Sequence, residues 1–168
     1  MSRLPSLRQS LRPVDPVLFL VPLAVGGATG ALTARSIRGW YRGLVKPSFT
    51  PPDAVFGPVW TALYGTMGLS LVLLRRAADD GAEPDRVRLA AAAFAAQLAL
   101  NVAWSVLFFN AHAIDAALVE IVLLWLAIAI TVASSARVRP AAGVILLPYL
   151  GWVTFAALLN AAVRRLNG

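Results

Sequence analysis

Five long runs of apolar residues alternate with short polar or proline-rich segments along the chain. An α-helix needs about 20 predominantly apolar residues to cross the hydrocarbon core of a bilayer, and each run is close to that length. The pattern predicts five transmembrane helices, at about 17–36, 54–76, 89–109, 115–135 and 141–163. We therefore expect an all-α membrane protein in which a basic tail (residues 1–16) precedes a five-helix bundle (residues 17–165).

The composition excludes an ordinary soluble domain. Hydrophobic residues make up 59% of the 168 residues and charged residues 14%, and the mean hydropathy is +0.73. The net charge of +7 comes from basic residues between the apolar runs, where membrane topology and anionic headgroups account for them, so nucleic-acid binding is not expected. Without cysteine, neither a disulfide nor a thiolate site is possible. The use of alanine and arginine is typical of GC-rich bacterial genomes, and we expect a bacterial cell envelope as the location.

The segment between the first two predicted helices, residues 39–64, combines prolines with aromatic residues. The prolines are Pro47, Pro51, Pro52 and Pro58, and the aromatic residues include Trp40, Tyr41, Phe49, Trp60 and Tyr64. The prolines fix φ and push the preceding residues toward extended conformations, which stiffens the loop. Trp60 and Tyr64 are four residues apart and share one face of a helix. A cap over a binding cavity explains these features; the alternative is an aromatic belt at the membrane interface, and we favour the cap.

Polar side chains interrupt the apolar runs at a few positions. Gln97, Asn101, Trp104 and Phe108 are spaced by four, three and four residues, so they follow one face of the third helix. Amides at membrane depth need partners, and both interhelical hydrogen bonds and ligand contacts would supply them. Glu120 is the only acid well inside an apolar run and should face the bundle or a hydrated cleft. For Gln97 and Glu120 we favour structural polar contacts over ligand contacts.

Small residues indicate where helices approach one another or a ligand. On the first helix, Gly26, Gly27 and Gly30 permit a close approach of a neighbouring helix or a ligand. On the third helix, alanines recur every four residues, and we expect this face to form a homodimer. The expected dimer face consists of Ala91, Ala95 and Ala99.

The fifth helix and the turn before the fourth contribute the remaining candidate residues. Tyr149, Trp152 and Asn160 follow the helical repeat along one face of the fifth helix. His112 is the only histidine and is most simply a solvated loop residue. One histidine without partners does not make a metal site, so none is expected.

Four segments of the chain resemble one known family. They are residues 40–52 (WYRGLVKPSFTPP), 56–64 (FGPVWTALY), 97–109 (QLALNVAWSVLFF) and 148–160 (PYLGWVTFAALLN). With Glu120 and five predicted helices, the resemblance to the TspO/translocator protein family covers nearly the whole chain. Members of this family are also called tryptophan-rich sensory proteins or peripheral-type benzodiazepine receptors. The pattern W-Y-x-x-L-x-K-P-x-[WF]-x-P-P, followed by P-Y-x-x-W, is specific to it.

The resemblance implies a five-helix membrane bundle whose first long loop caps a pocket. Family members bind tetrapyrroles such as protoporphyrin IX and haem, sterols in many cases, and synthetic isoquinoline carboxamide or benzodiazepine ligands; bacterial members are commonly dimers. We expect a porphyrin-binding sensor or transporter of the membrane that needs no cofactor. The implied ligand-site residues are Trp40, Tyr41, Lys46, Pro47, Phe49, Pro51, Pro52, Trp60, Tyr64, Asn101, Trp104, Tyr149 and Trp152. Lys46, Arg42 or Arg38 near the rim would meet the porphyrin carboxylates.

Two departures from the family pattern limit the expected activities. Family members often have tryptophan at the position of Phe49, and that ring has been linked, with the one matching Trp152, to light-driven porphyrin breakdown. Phenylalanine is harder to oxidise, so this activity is not favoured, and no catalytic residues are expected. Residues 158–166 (LLNAAVRRL) lack the central tyrosine of the sterol-recognition pattern, so sterol binding is not expected. Two alternatives to a porphyrin binder are a regulatory partner protein without ligand chemistry and a light-dependent porphyrin-degrading enzyme.

Overall fold

The computed structural model describes residues 13–168, and every regular element within them is helical. The helices are α1 (Val14–Ser36), α2 (Asp53–Asp79), α3 (Pro84–Ser105), α4 (Ile114–Val138), α5 (Pro140–Val144) and α6 (Leu147–Asn167). Two π-helical turns, Ile37–Tyr41 and Val106–Asn110, continue α1 and α3. Residues 1–12 of the predicted basic tail lie outside the described residues.

Within residues 13–168, five helical segments are long and apolar enough to cross a membrane, which confirms the predicted fold class. They are Val14–Tyr41, Asp53–Asp79, Pro84–Asn110, Ile114–Val138 and Pro140–Asn167, the last made of α5 and α6. Each segment extends beyond its predicted bounds at both ends. The apolar run marks only the part of each helix that matches the hydrocarbon core. Asp53 and Pro84 are well suited to the first turn of a helix, so they extend α2 and α3 into polar surroundings.

Successive segments run in opposite directions, so the connections between them alternate between the two ends of the bundle. At one end, the loop of residues 42–52 (loop 1) and the turn between α3 and α4 meet the C-terminus of α6, where the Arg164 guanidinium pairs with the Asp115 carboxylate. We call this the loop-1 end. At the opposite end, Arg139 before α5 lies 3.7 Å from Asp80 after α2. The apolar core between the two ends contains Met67, Phe94, Leu124, Ile128 and Tyr149.

The start of α1 is attached to the end of α2 by an ion cluster at the opposite end. Asp15 is 3% exposed, and its carboxylate accepts hydrogen bonds from Arg75 Nε at 3.2 Å and Arg76 Nη2 at 2.9 Å. Arg75 also donates to Asp79 at 2.6 Å. Asp15 was assigned to the basic tail from the sequence; the structure instead places it in the first turn of α1 and inside the bundle.

The backbones of α1 and α2 touch at Gly68. A Cβ atom built on Gly68 would overlap the backbone of Phe19, whereas one built on Gly65 of the same helix meets nothing within 4 Å. Glycine at position 68 is therefore required by the helix–helix contact, since backbone atoms cannot be displaced as a flexible side chain can.

We expect the substitution Gly68→Ala to lower the free energy of unfolding by about 1–3 kcal/mol, because α1 and α2 must separate to admit the methyl group. Gly65→Ala is the matched control, and its stability should be unchanged or slightly raised because alanine favours the helix. Thermal unfolding of both variants in detergent micelles measures the difference. Equal melting temperatures for the two variants would contradict the close approach of the two backbones.

Candidate functional site

A cavity of about 430 Å³ lies in the loop-1 half of the bundle, between α1, α2, α3 and α6. All but one of its lining residues belong to two kinds, aromatic or aliphatic residues and small or uncharged polar residues. The first are Leu23, Ile37, Tyr41, Phe56, Trp60, Tyr64, Trp104, Phe108, Phe109, Trp152, Ala156, Leu159 and Val163; the second are Gly26, Gly27, Thr29, Gly30, Thr33, Gly57, Thr61, Ser105 and Asn160. The remaining lining residue is Asp53.

Aromatic rings form the walls on α2, α3 and α6. Trp60 stacks on Tyr64 with ring centroids 5.6 Å apart, and Trp104 stacks on Phe108 at 5.2 Å. Both pairs are four residues apart, so the predicted helical stripes do bring their members together. Trp152 of α6 meets Phe56 edge-on at 5.8 Å. The result is an apolar slot whose surfaces are the faces and edges of aromatic rings.

The wall on α1 is made of glycines and threonines instead. The Tyr64 ring lies directly against the backbone of Gly26, where a Cβ atom would overlap it. Gly27 and Gly30 also line the cavity but have open space where a Cβ atom would be. The sequence predicts a close approach at these glycines, and the structure shows one only at Gly26, where Tyr64 makes it. Thr29 and Thr33 donate to backbone carbonyls of their own helix, so their hydroxyl groups are satisfied within α1.

Two buried hydrogen-bond networks hold the aromatic walls in place. The Tyr64 hydroxyl donates to Asn101 Oδ1 at 2.7 Å, and Asn101 Nδ2 donates to the Tyr149 hydroxyl at 3.2 Å. Neither Asn101 nor Tyr149 lines the cavity, although both were expected at the ligand site; they act on its wall through Tyr64. In the second network, Trp104 Nε1 donates to Asn160 Oδ1 at 3.2 Å, and Asn160 Nδ2 donates to the Ile114 carbonyl.

Gln97 and Glu120 differ from these asparagines. Gln97 is 1% exposed and Glu120 is 7% exposed, and neither lines the cavity. Gln97 Oε1 and both carboxyl oxygens of Glu120 have no hydrogen-bond partner among residues 13–168. The interhelical hydrogen bonds expected for intramembrane polar residues therefore form at Asn101 and Asn160, while these three oxygens lack them.

Trp40, Tyr41 and His112 lie where the two π-helical turns meet. Trp40 stacks on the His112 ring with centroids 4.2 Å apart, and His112 Nε2 is 3.0 Å from Ser36 Oγ. The Ser36 hydroxyl also donates to the Phe109 carbonyl. His112 is an exposed loop residue, as the sequence predicts, but its ring also contacts Trp40 and Ser36. Its φ of 55° turns the backbone sharply after α3, and no sequence pattern identifies this conformation for histidine.

Loop 1 contacts Tyr41 of the cavity wall and residues of α6. Lys46 Nζ is 4.3 Å from the centroid of the Tyr41 ring, and Phe49 meets Phe155 of α6 edge-on at 6.3 Å. The Asn167 side chain exchanges two hydrogen bonds of 2.9 Å with the backbone of Val45. No residue of loop 1 lines the cavity, and among its residues Lys46 contacts a lining residue through the Tyr41 ring. The role of the loop as a cap stays a prediction.

The structure brings five of the thirteen predicted ligand-site residues to the cavity wall. Those that line it are Tyr41, Trp60, Tyr64, Trp104 and Trp152; those that do not are Trp40, Lys46, Pro47, Phe49, Pro51, Pro52, Asn101 and Tyr149. The alanines of the expected dimer face, Ala91, Ala95 and Ala99, lie exposed on the outer surface of α3. Dimer formation stays a prediction. Within residues 13–168, no group of three potential metal ligands comes together.

The family resemblance can be tested directly against known sequences. The sequence model of the TspO/MBR family matches residues 18–166, a range that contains every residue lining the cavity. The chain belongs to the TspO/MBR family. The resemblance inferred from the four motif segments is thereby confirmed.

Curated relatives of this TspO/MBR chain cover most of its length. The "Tryptophan-rich protein TspO" of Chlorobaculum tepidum is 43% identical over 145 residues, which are 86% of this chain and 90% of that protein. The "Tryptophan-rich sensory protein" of Cereibacter sphaeroides is 38% identical over 157 residues, or 92% and 94% of the two chains. The human "Translocator protein" is 40% identical over 128 residues, or 76% and 75%. The similarity to TspO/MBR proteins therefore spans organisms from bacteria to mammals.

Sequence reasoning missed two features of the TspO/MBR cavity. The first is the extent to which α1 lines it, since Thr29 and Thr33 are unremarkable in an apolar run. The second is Asp53, which begins α2 and lines the mouth. An acidic residue is common in the first turn of a helix because it interacts favourably with the helix dipole. Its position in the sequence therefore does not identify it as a site residue.

Proposed function

We propose that this protein binds a flat aromatic ligand of the tetrapyrrole class, protoporphyrin IX or haem, and acts as a sensor or carrier in a bacterial membrane. The supporting observation is the shape and lining of the cavity. Its volume of about 430 Å³ is within the range of small-molecule sites, and its walls are tryptophan, tyrosine and phenylalanine rings that suit the faces of a conjugated macrocycle. The apolar edge of the ring system enters first and leaves the carboxylate edge at the loop-1 end.

The names of the relatives agree with a sensing or carrying role. The Cereibacter sphaeroides relative is named a sensory protein and the human relative a translocator protein. Smaller aromatic ligands of the isoquinoline carboxamide or benzodiazepine type fit the same slot and should compete with the porphyrin. A homodimer through the alanine face of α3 is part of the same proposal.

Titration of the purified protein with protoporphyrin IX in the dark, followed through the Soret band, tests the proposal. We expect saturable binding, and Trp152→Ala should weaken it roughly 3- to 10-fold because one stacking surface is lost. Trp125→Ala is the matched control: Trp125 donates to Thr154 at 2.8 Å and does not line the cavity, so its removal should leave the affinity unchanged. Equal porphyrin affinities of the Trp152→Ala and Trp125→Ala variants would mean that the porphyrin does not bind in this cavity.

Illumination of the same complex separates a binder from an enzyme. A stable Soret band under light supports a sensor or carrier. Bleaching that requires the protein would indicate porphyrin breakdown despite Phe49. Absence of saturable binding in the dark would overturn the proposed function and favour a partner protein without its own ligand.

A further inference from the structure

The wall of the cavity carries a negative charge, whereas positive charges were expected near the carboxylates of a porphyrin. Among the described residues that line the cavity, Asp53 is the only one that is charged at neutral pH. Arg38 and Arg42, expected to meet the carboxylates of a porphyrin, are exposed and do not line it. The charged group on the wall that a bound ligand contacts is therefore a carboxylate, and Asp53 is exposed to solvent.

The nearest basic residue of loop 1 is held to one side. The Lys46 ammonium group lies over the Tyr41 ring, 4.3 Å from its centroid, and does not itself line the cavity. Tyr41 and Asp53 both line the cavity. The cation therefore lies outside the cavity and the anion at its wall. The two opposite charges lie at different distances from the edge of a bound ligand. Their effects on that edge do not cancel, because the Coulomb energy falls with distance.

We infer that Asp53 determines the charge selectivity of this site by disfavouring ligands that place a carboxylate at the mouth. Lys46 acts in the opposite sense and partly offsets it. The site accordingly binds a neutral aromatic macrocycle, such as an esterified porphyrin, more tightly than the dicarboxylate of the same size. This inference rests on the proposed function, since it concerns the edge of a ligand that the aromatic walls hold.

The test compares protoporphyrin IX with its dimethyl ester, which has the same ring but no charge. Protein in phosphatidylcholine nanodiscs is titrated with each ligand, and empty nanodiscs correct for partition into lipid. Wild-type protein should bind the ester more tightly. Asp53→Asn should tighten binding of the dicarboxylate about 3- to 10-fold and leave the ester unchanged, and Lys46→Gln should weaken binding of the dicarboxylate. Both effects should shrink as the salt concentration rises, because the groups are exposed to solvent.

Asp115→Asn is the matched control, since it also removes one negative charge at the loop-1 end but does not line the cavity. It should change neither affinity by more than about twofold. If Asp53→Asn changes both ligands equally, Asp53 has a structural role and the inference is wrong. If both ligands bind the wild-type protein and no substitution changes their relative affinities, the inference is also wrong, while the proposed function stands. If neither ligand binds the wild-type protein, the proposed function and this inference fail together.

Discussion

Gly26→Ala is expected to weaken porphyrin binding about tenfold or more, because the added methyl group occupies the space of the Tyr64 ring. That ring cannot move freely. Its hydroxyl group donates to Asn101, and Asn101 in turn donates to Tyr149, which is buried. A displaced Tyr64 ring therefore either breaks this network or turns into the cavity that it lines. Both outcomes alter the wall on which the ligand is proposed to stack.

Gly27→Ala provides the matched control for this prediction. Gly27 is the next residue and also lines the cavity, but a Cβ atom there meets nothing within 4 Å. Its affinity for protoporphyrin IX in the dark titration should stay close to that of the wild type. Thermal unfolding of both variants shows whether each is folded. Similar losses of affinity in the two variants, with both folded, would mean that the contact between Gly26 and Tyr64 does not shape the site.

Asp15→Asn is expected to lower the free energy of unfolding by about 3 kcal/mol. The carboxylate is buried and accepts hydrogen bonds from both Arg75 and Arg76, so its loss leaves two guanidinium groups without their shared anion. Removing one partner of a buried ion cluster costs far more than removing an exposed one, since the remaining charges stay desolvated. The cluster also holds the start of α1 against the end of α2 at the end remote from the cavity.

Equilibrium unfolding in mixed micelles measures this loss, with Asp85→Asn as the control. The Asp85 side chain is 83% exposed and lies 3.3 Å from Arg88. An exposed pair of this kind contributes between zero and about 1 kcal/mol. Porphyrin affinity of folded Asp15→Asn protein should be nearly normal, because the cluster does not line the cavity. Equal stability of the two variants would show that the Asp15 cluster is not a significant tie between the helices.

Some contacts in the site could be predicted from the sequence, whereas others could not. Trp60 and Tyr64 belong to one helix, and Trp104 and Phe108 belong to one continuous helical segment, so a spacing of four residues places each pair side by side. Asn101 and Tyr149 were expected at the ligand for their residue types and family pattern. The structure places them behind the cavity wall, where they contact Tyr64 or each other, since their position depends on how α3 and α6 pack. The contact of Trp40 with His112 joins one π-helical turn to the loop that follows the other, and no periodicity in the sequence predicts a π-helical turn.

The sequence by itself determined the fold class, the number of spans and the family, because the length of an apolar run is set by the bilayer and motif residues are read directly from the chain. It also determined which rings share a helix face. Only the tertiary structure decided which faces meet: the Tyr64 ring on Gly26, the Asp15 carboxylate between two arginines, and Asp53 at the mouth of an otherwise uncharged cavity. These contacts join residues far apart in the chain. Their geometry follows from the packing of whole helices, which local sequence patterns do not specify.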